Sequence, residues 1–141
     1  MAAAAANRED KRQDGKLKVH PVAASTVMYK GTLACHNATG WLKPGADTAS
    51  FKFAGVTYEK TDNSAGANGD KECRVQKDGE YEFVYNGGDA SQALSGQEVY
   101  IVDDQTVDED AAVTTNDIKC GVVTEVISVT KVRVRIDNYA R

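Results

Sequence analysis

The chain has only three cysteines, Cys35, Cys73 and Cys120, spread over 141 residues. An odd, widely spaced set is no disulfide framework, and free buried thiols in a reducing compartment are the simpler expectation. Histidine is scarcer still, with His20 and His36 alone. Nucleophilic catalysis needs a base beside the nucleophile, and nothing in the sequence ties either histidine to a serine or cysteine. No run approaches the roughly 18 apolar residues of a membrane-spanning helix. Residues 1–6 are apolar but too short for a signal-peptide core, and they run into charge at Arg8. The expectation is therefore synthesis in the cytoplasm with no anchor. Positive charge is not in excess either, since the net charge is −4. That argues against a nucleic-acid binder, for which a basic face is expected.

What the chain does have is glycine, 12 against 2 proline, with threonine, valine and tyrosine prominent. This composition favours short strands and turns over helices. The length suits one domain, able to bury about two-thirds of its unfolded surface without a metal or disulfide. Residues 7–16 offer no side chain to bury, so residues 1–16 read as an extended arm, flexible or docked on a partner. A β domain follows over 17–141. Residues 17–19 alternate, and Pro21 limits that strand to an edge. Residues 26–34 are a second strand candidate broken at Gly31, and 35–47 read as a loop holding Trp41. Phe51, Phe53, Val56 and Tyr58 give a third strand whose phase slips at Ala54-Gly55, the mark of a bulge.

Residues 61–70 are a polar loop. Residues 72–76 and 81–85 alternate on either side of Lys77-Asp78-Gly79-Glu80, which predicts a hairpin. Asp89 is positioned to cap a helical turn over 90–94. Val99 and Ile101 share a face, 122–127 suits a central strand, and Val132, Val134 and Ile136 alternate with charge. The last two form a hairpin turning near 128–130. Ala54-Gly55-Val56 is echoed by Cys120-Gly121-Val122, with a glutamate three residues after each valine. Equivalent strands and coincidence both account for that echo. The sum is an all-β barrel or sandwich of seven or eight short strands.

Chemistry is sparse. Cys35, His36, Cys73 and Cys120 match no zinc spacing, and adjacent residues of an extended chain point apart. Asp103, Asp104, Asp108, Glu109 and Asp110 offer hard oxygen ligands but lack the spacing of a calcium loop. No glycine-rich stretch is followed by the lysine and helix of a phosphate cradle. No catalytic, cofactor or metal residue is assigned, and no enzyme activity is expected. Charge is segregated instead: 103–110 carries five acids, while the arm holds Arg8, Lys11, Arg12 and Lys16. Such blocks are either solvated loops or complementary contacts between chains.

The order of features resembles the capsid decoration, or cement, proteins of tailed bacteriophages. The resemblance rests on Asn7-Arg8-Glu9-Asp10-Lys11-Arg12, Val22-Ala23-Ala24-Ser25, Phe53-Ala54-Gly55-Val56 and Asp62-Asn63-Ser64-Ala65-Gly66-Ala67-Asn68-Gly69-Asp70. It continues through Gly96-Gln97-Glu98-Val99-Tyr100-Ile101-Val102-Asp103-Asp104, Gly121-Val122-Val123 and Val132-Arg133-Val134. It implies a β-tulip-like domain, often trimeric, on the outer capsid surface of the virion. It also implies the major capsid protein as partner, with no cofactor, nucleic acid or membrane. Candidate contacts are Arg8, Lys11, Arg12, Lys16, Trp41, Asp108, Glu109 and Asp110. A tail-tube or head–tail joining protein is the alternative, followed by a carbohydrate-binding module using Trp41.

Overall fold

A computed structural model of the chain describes residues 5–6 and 15–136. Arg8, Lys11 and Arg12 of the expected arm lie outside the described residues. The fold is all-β, with twelve strands among the described residues. In chain order they are β1 (Leu17–Pro21), β2 (Thr26–Met28), β3 (Leu33–His36), β4 (Leu42–Pro44), β5 (Lys52–Thr57) and β6 (Thr61–Asn63). Then come β7 (Glu72–Gln76), β8 (Glu80–Tyr85), β9 (Glu98–Ile101), β10 (Thr106–Asp108), β11 (Lys119–Ser128) and β12 (Lys131–Ile136). The count exceeds the seven or eight expected because β2, β4, β6 and β10 have three residues each. Three residues are too few to show a period of two.

Two five-stranded sheets dominate. One, in the order β10-β8-β12-β11-β9, closes into a barrel, and β10 seals it by pairing parallel to β8 and antiparallel to β9. The other runs β1-β7-β5-β3-β4, while β2 and β6 form a separate ribbon. This second sheet curls so that its two edges touch only just past β1, which leaves β1 itself unpaired on its outer side among the described residues. Val22, next after β1, makes a parallel bridge to Leu42 in β4, and the Ala23 N–H donates to the Leu42 carbonyl at 3.0 Å. Pro21 and Pro44 both sit in the edge strands, where a missing N–H costs least.

The two faces of the curled sheet serve two cores. Leu33, Cys35 and Val56 join the barrel side chains Phe83, Val99, Ile101, Val123 and Val134. Ala34, Ala54, Cys73 and Val75 pack instead with Val22, Met28 and Leu42. This division overturns the expected hairpin at Lys77-Asp78-Gly79-Glu80. β7 pairs with β1 and β5, whereas β8 pairs with β10 and β12, so the turn is a crossover between sheets. The alternation in both strands is real, but Cys73 and Val75 serve one core while Phe83 and Tyr85 serve the other.

Three further expectations are corrected. Residues 26–34 split at Gly31 into β2 and β3, which belong to different sheets. Residues 35–47 are largely a β3–β4 hairpin, turned by Asn37, whose Oδ1 accepts from the N–H groups of Thr39 and Trp41. Asp89 caps nothing. The short 3-10 turn Gln92–Leu94 has Ser91 at its N-cap, with no side-chain cap bond. The β11–β12 hairpin, central β11 and the buried Val132, Val134 and Ile136 stand as expected.

The repeated small-Gly-Val pattern marks equivalent places. In β5 the register against β3 shifts so that Ala54 is the extra residue, and in β11 the register against β9 leaves Cys120 extra. The glycine after each bulge lies under a neighbouring strand. A Cβ on Gly55 would overlap the Gln76 carbonyl oxygen, and one on Gly121 would overlap that of Arg135. Gly55 also has φ +139°, open to glycine alone at low cost. Bulges of this kind add local twist and let a sheet close.

The loop after β6 is pinned by Asn63, which is buried. Its amide donates to the carbonyls of Val22, Ala23 and Ala67. Its Oδ1 has no conventional donor. A Cβ on Gly66 would fall on that oxygen, so the Gly66 Cα–H faces it and supplies a weak C–H···O contact.

Gly55→Ala should lower stability by about 3 kcal/mol, combining backbone strain with overlap, and Gly121→Ala by about 2 kcal/mol. Gly31→Ala, with φ +79° and open space around it, should cost only about 1 kcal/mol. Urea denaturation of the three variants checks the order, and equal losses would remove the close approach as its cause.

Candidate functional site

The acidic stretch is held by its own turns. Asp108 is 2% exposed in β10; its Oδ2 accepts from the Asn86 amide and its Oδ1 from the Asp110 N–H. Asp103 accepts from the Gln105 N–H, Asp110 from the Ala112 N–H, and Glu109 from the Tyr85 hydroxyl at 3.1 Å. Burial, with Glu109 beside it, pushes the Tyr85 phenol up to about 12. Half-buried Asp104 is raised by burial and by Asp103. Asp108 is therefore corrected from a candidate contact to a buried part of the fold. Asp110 remains exposed and Glu109 half-buried.

Trp41 ends the β3–β4 turn and is half-buried. Its ring lies over Gly69, where a Cβ would come within 3.1 Å of it, so the indole joins two loops. Lys16 is exposed, and its carbonyl accepts the Lys77 N–H at 2.8 Å, extending the β1–β7 ladder by one residue.

A strip that the sequence did not single out crosses β1 and β7. Leu17 and Val19 are 40% and 47% exposed. Val19 stands opposite Arg74, whose guanidinium lies 4.9 Å from the Tyr58 ring centroid and bonds Glu59 through two nitrogens. Tyr58 is itself 40% exposed. Glu59 sits below the usual carboxylate range because of the Arg74 hydrogen bonds. Among the described residues no strand pairs with the outer edge of β1. Alternation along β1 leaves an apolar face at 17 and 19, as the sequence shows, but its exposure depends on β1 being an edge of the curled sheet.

The opposite face of β1 carries Lys18 and His20, and there the histidines meet. The His20 and His36 rings contact edge to face, with centroids 4.5 Å apart. Lys77 Nζ lies 2.8 Å from His20 Nε2 and donates to the Ala54 carbonyl at 2.6 Å, so it serves the bulge in β5. Lys77 therefore ties β1 twice, by its backbone at Lys16 and by its amine at His20. Burial, then Lys77, His36 and Lys18, pushes the His20 imidazole down to about 4. Burial and Lys77 lower His36, against a hydrogen bond to the Gly40 carbonyl. Burial and Lys18 bring the Lys77 amine down to about 8.

The one thiol opposite these bases in register, Cys73, is buried across the ladder from His20. The Cys35 thiol is buried and pushed up to about 12, and burial raises Cys73 as well. Among the described residues no three of His, Cys, Asp and Glu are grouped to hold a metal ion. No helix there is long and apolar enough to cross a membrane. The histidines are 16 positions apart, and only the curl of the sheet brings them together. No family model, curated protein or solved structure matches the chain.

Two predictions follow from this geometry. The folded chain holds both imidazoles below their ordinary 6.5, so the unfolded chain takes up protons first as pH falls. The stabilisation from His20 is complete above pH 6.5 and is lost toward about pH 4, and His36 acts with the same sign. Lys77 acts with the same sign at higher pH, so stability rises from pH 8 to 10.5. The urea midpoint followed from pH 8 to 4 should fall less steeply for His20→Gln, and an unchanged slope would break the link. Separately, Asp108→Ala should cost about 1–3 kcal/mol by removing two part-buried hydrogen bonds to a charged acceptor, while Asp110→Asn should cost under about 1 kcal/mol. Thermal melts of both check this, and a neutral Asp108→Ala would return that residue to the surface.

Proposed function

We propose that this chain is a capsid decoration protein of a tailed bacteriophage, binding the outer face of the shell through its major capsid protein. The observation that supports this best is the β1 edge, with exposed Leu17 and Val19 beside the Arg74–Tyr58 stack. Aromatic and arginine side chains next to apolar ones are the composition of binding hot spots. A free strand edge offers main-chain hydrogen bonds to an extended segment of a partner. The basic residues of the expected arm, Arg8, Lys11 and Arg12, precede that edge in sequence. Its role is mechanical. Each copy bridges neighbouring shell subunits, and linked weak contacts gain avidity from high effective concentration. A trimer multiplies those contacts and belongs to the same proposal, as does a place on the virion surface.

The test is co-sedimentation of the purified chain with expanded, undecorated shells of its major capsid protein. Binding should saturate and raise the temperature at which the shells break. Leu17→Asp with Val19→Asp should weaken binding about a hundredfold, as loss of a hot spot does, with little change in the melting temperature of the free protein. Absence of wild-type binding sinks the decoration role. Full binding by the double variant sinks the strip as its contact. A one-chain mass by sedimentation equilibrium removes the trimer.

A further inference from the structure

Five basic side chains gather at one end of the curled sheet, on the face away from the β1 strip. Lys18 and His20 come from β1, His36 from the end of β3, Lys52 from the start of β5, and Lys77 from the turn after β7. They share the inner face by register. His20 and Lys18 stand opposite the buried Cys73 and Val75. His36 stands opposite the buried Leu42 and also opposite Lys52. Lys77 continues the alternation of Cys73 and Val75. Edge contact between the imidazoles and the Lys77–His20 bond hold the centre of the group together.

The group has no internal counter-charge. Among the described residues none of Lys18, Lys52 and Lys77 is in an ion pair, although Arg74, Lys119, Lys131 and Arg133 all are. The charges acting on His20, His36 and Lys77 are all basic: Lys18, Lys52, Lys77 and His36. In a protein of net charge −4, this grouping of like charge is a cost that no ion pair among the described residues offsets. It also keeps donors ready. Because His20 Nε2 accepts from Lys77, its Nδ1 carries the hydrogen and is a donor. The Lys77 ammonium has three hydrogens and spends two, on His20 and on Ala54.

We propose that this basic end is a binding site for a phosphate-type dianion, free or as a phosphomonoester. Three lysines and a neutral imidazole N–H supply charge and donors together, and a tetrahedral dianion has acceptors enough for both. One carboxylate would leave most of the positive charge unanswered. Binding relieves the mutual repulsion, so it makes His20 easier to protonate and stabilises the fold by mass action. The site is distinct from the shell-binding strip and does not depend on it, because Leu17 and Val19 face the other way from Lys18 and His20.

The experiment follows the imidazole resonances of His20 and His36 by NMR in the full chain at pH 7. Inorganic phosphate, glycerol phosphate and chloride are titrated at constant ionic strength. A saturable shift of His20 with phosphate, a higher His20 pKa and a higher melting temperature are expected, with none of these for chloride. The stronger of the two phosphates identifies the source. Lys77→Met should weaken binding about tenfold or more. If that variant unfolds, Lys18→Ser with Lys52→Ser, both exposed, should weaken it similarly. No saturable shift, an equal response to chloride, or full affinity in the double variant overturns the site.

Discussion

Both large sheets bend at a glycine, where the carbonyl of the next strand occupies the space a side chain would need. At Gly55 that carbonyl belongs to Gln76, and at Gly121 to Arg135. The residue before each, Ala54 or Cys120, is the extra one in its ladder and is fully buried. An extra residue twists the strand and turns the sheet on itself. Without those two bends neither sheet would bring its edges round. Open edges expose backbone donors and acceptors that invite pairing with other chains.

The bends have local consequences that reach the surface. The bulge at Ala54 turns a carbonyl toward Lys77, and the lysine that answers it also holds β1 at both ends. The same side chain lies beside both histidines and, after burial, is the next largest cause holding both imidazoles below their ordinary value. One backbone irregularity in β5 thus helps organise a basic cluster on β3, its ladder partner, and on β1, which does not pair with it.

Much of the fold was legible in single strands. The bulge at Ala54-Gly55, the β11–β12 hairpin, the edge position of Pro21 and the alternation of β12 all follow from local pattern. What pattern could not supply was the partner of each strand. β7 and β8 alternate cleanly around an Asp-Gly turn, yet they feed two cores. The turn permits a hairpin but does not require one, and side-chain burial decides. Burying a valine or phenylalanine is worth about 1.5–3 kcal/mol, so Val75 and Phe83, with Cys73 and Tyr85, outweigh one favourable turn. The candidate contacts divide in the same way. Asp110 and Lys16 are exposed as a reading of polarity suggests, whereas Asp108 is buried because its carboxylate completes a turn.

By itself the sequence determined an all-β chain, the phase of its longer strands and the glycines at which those strands bend. These depend on neighbours in the chain and on the period of two that an extended backbone imposes. It determined too that few reactive groups exist: three thiols and two imidazoles. The tertiary structure decided which strands meet, that the curled sheet closes from Val22 to Leu42, and that His20, His36 and Lys77 share one end of it. It also decided that Leu17 and Val19 remain in water beside Tyr58 and Arg74. Proximity across a closed sheet is set by register and curvature over many residues, and no short window of sequence carries either.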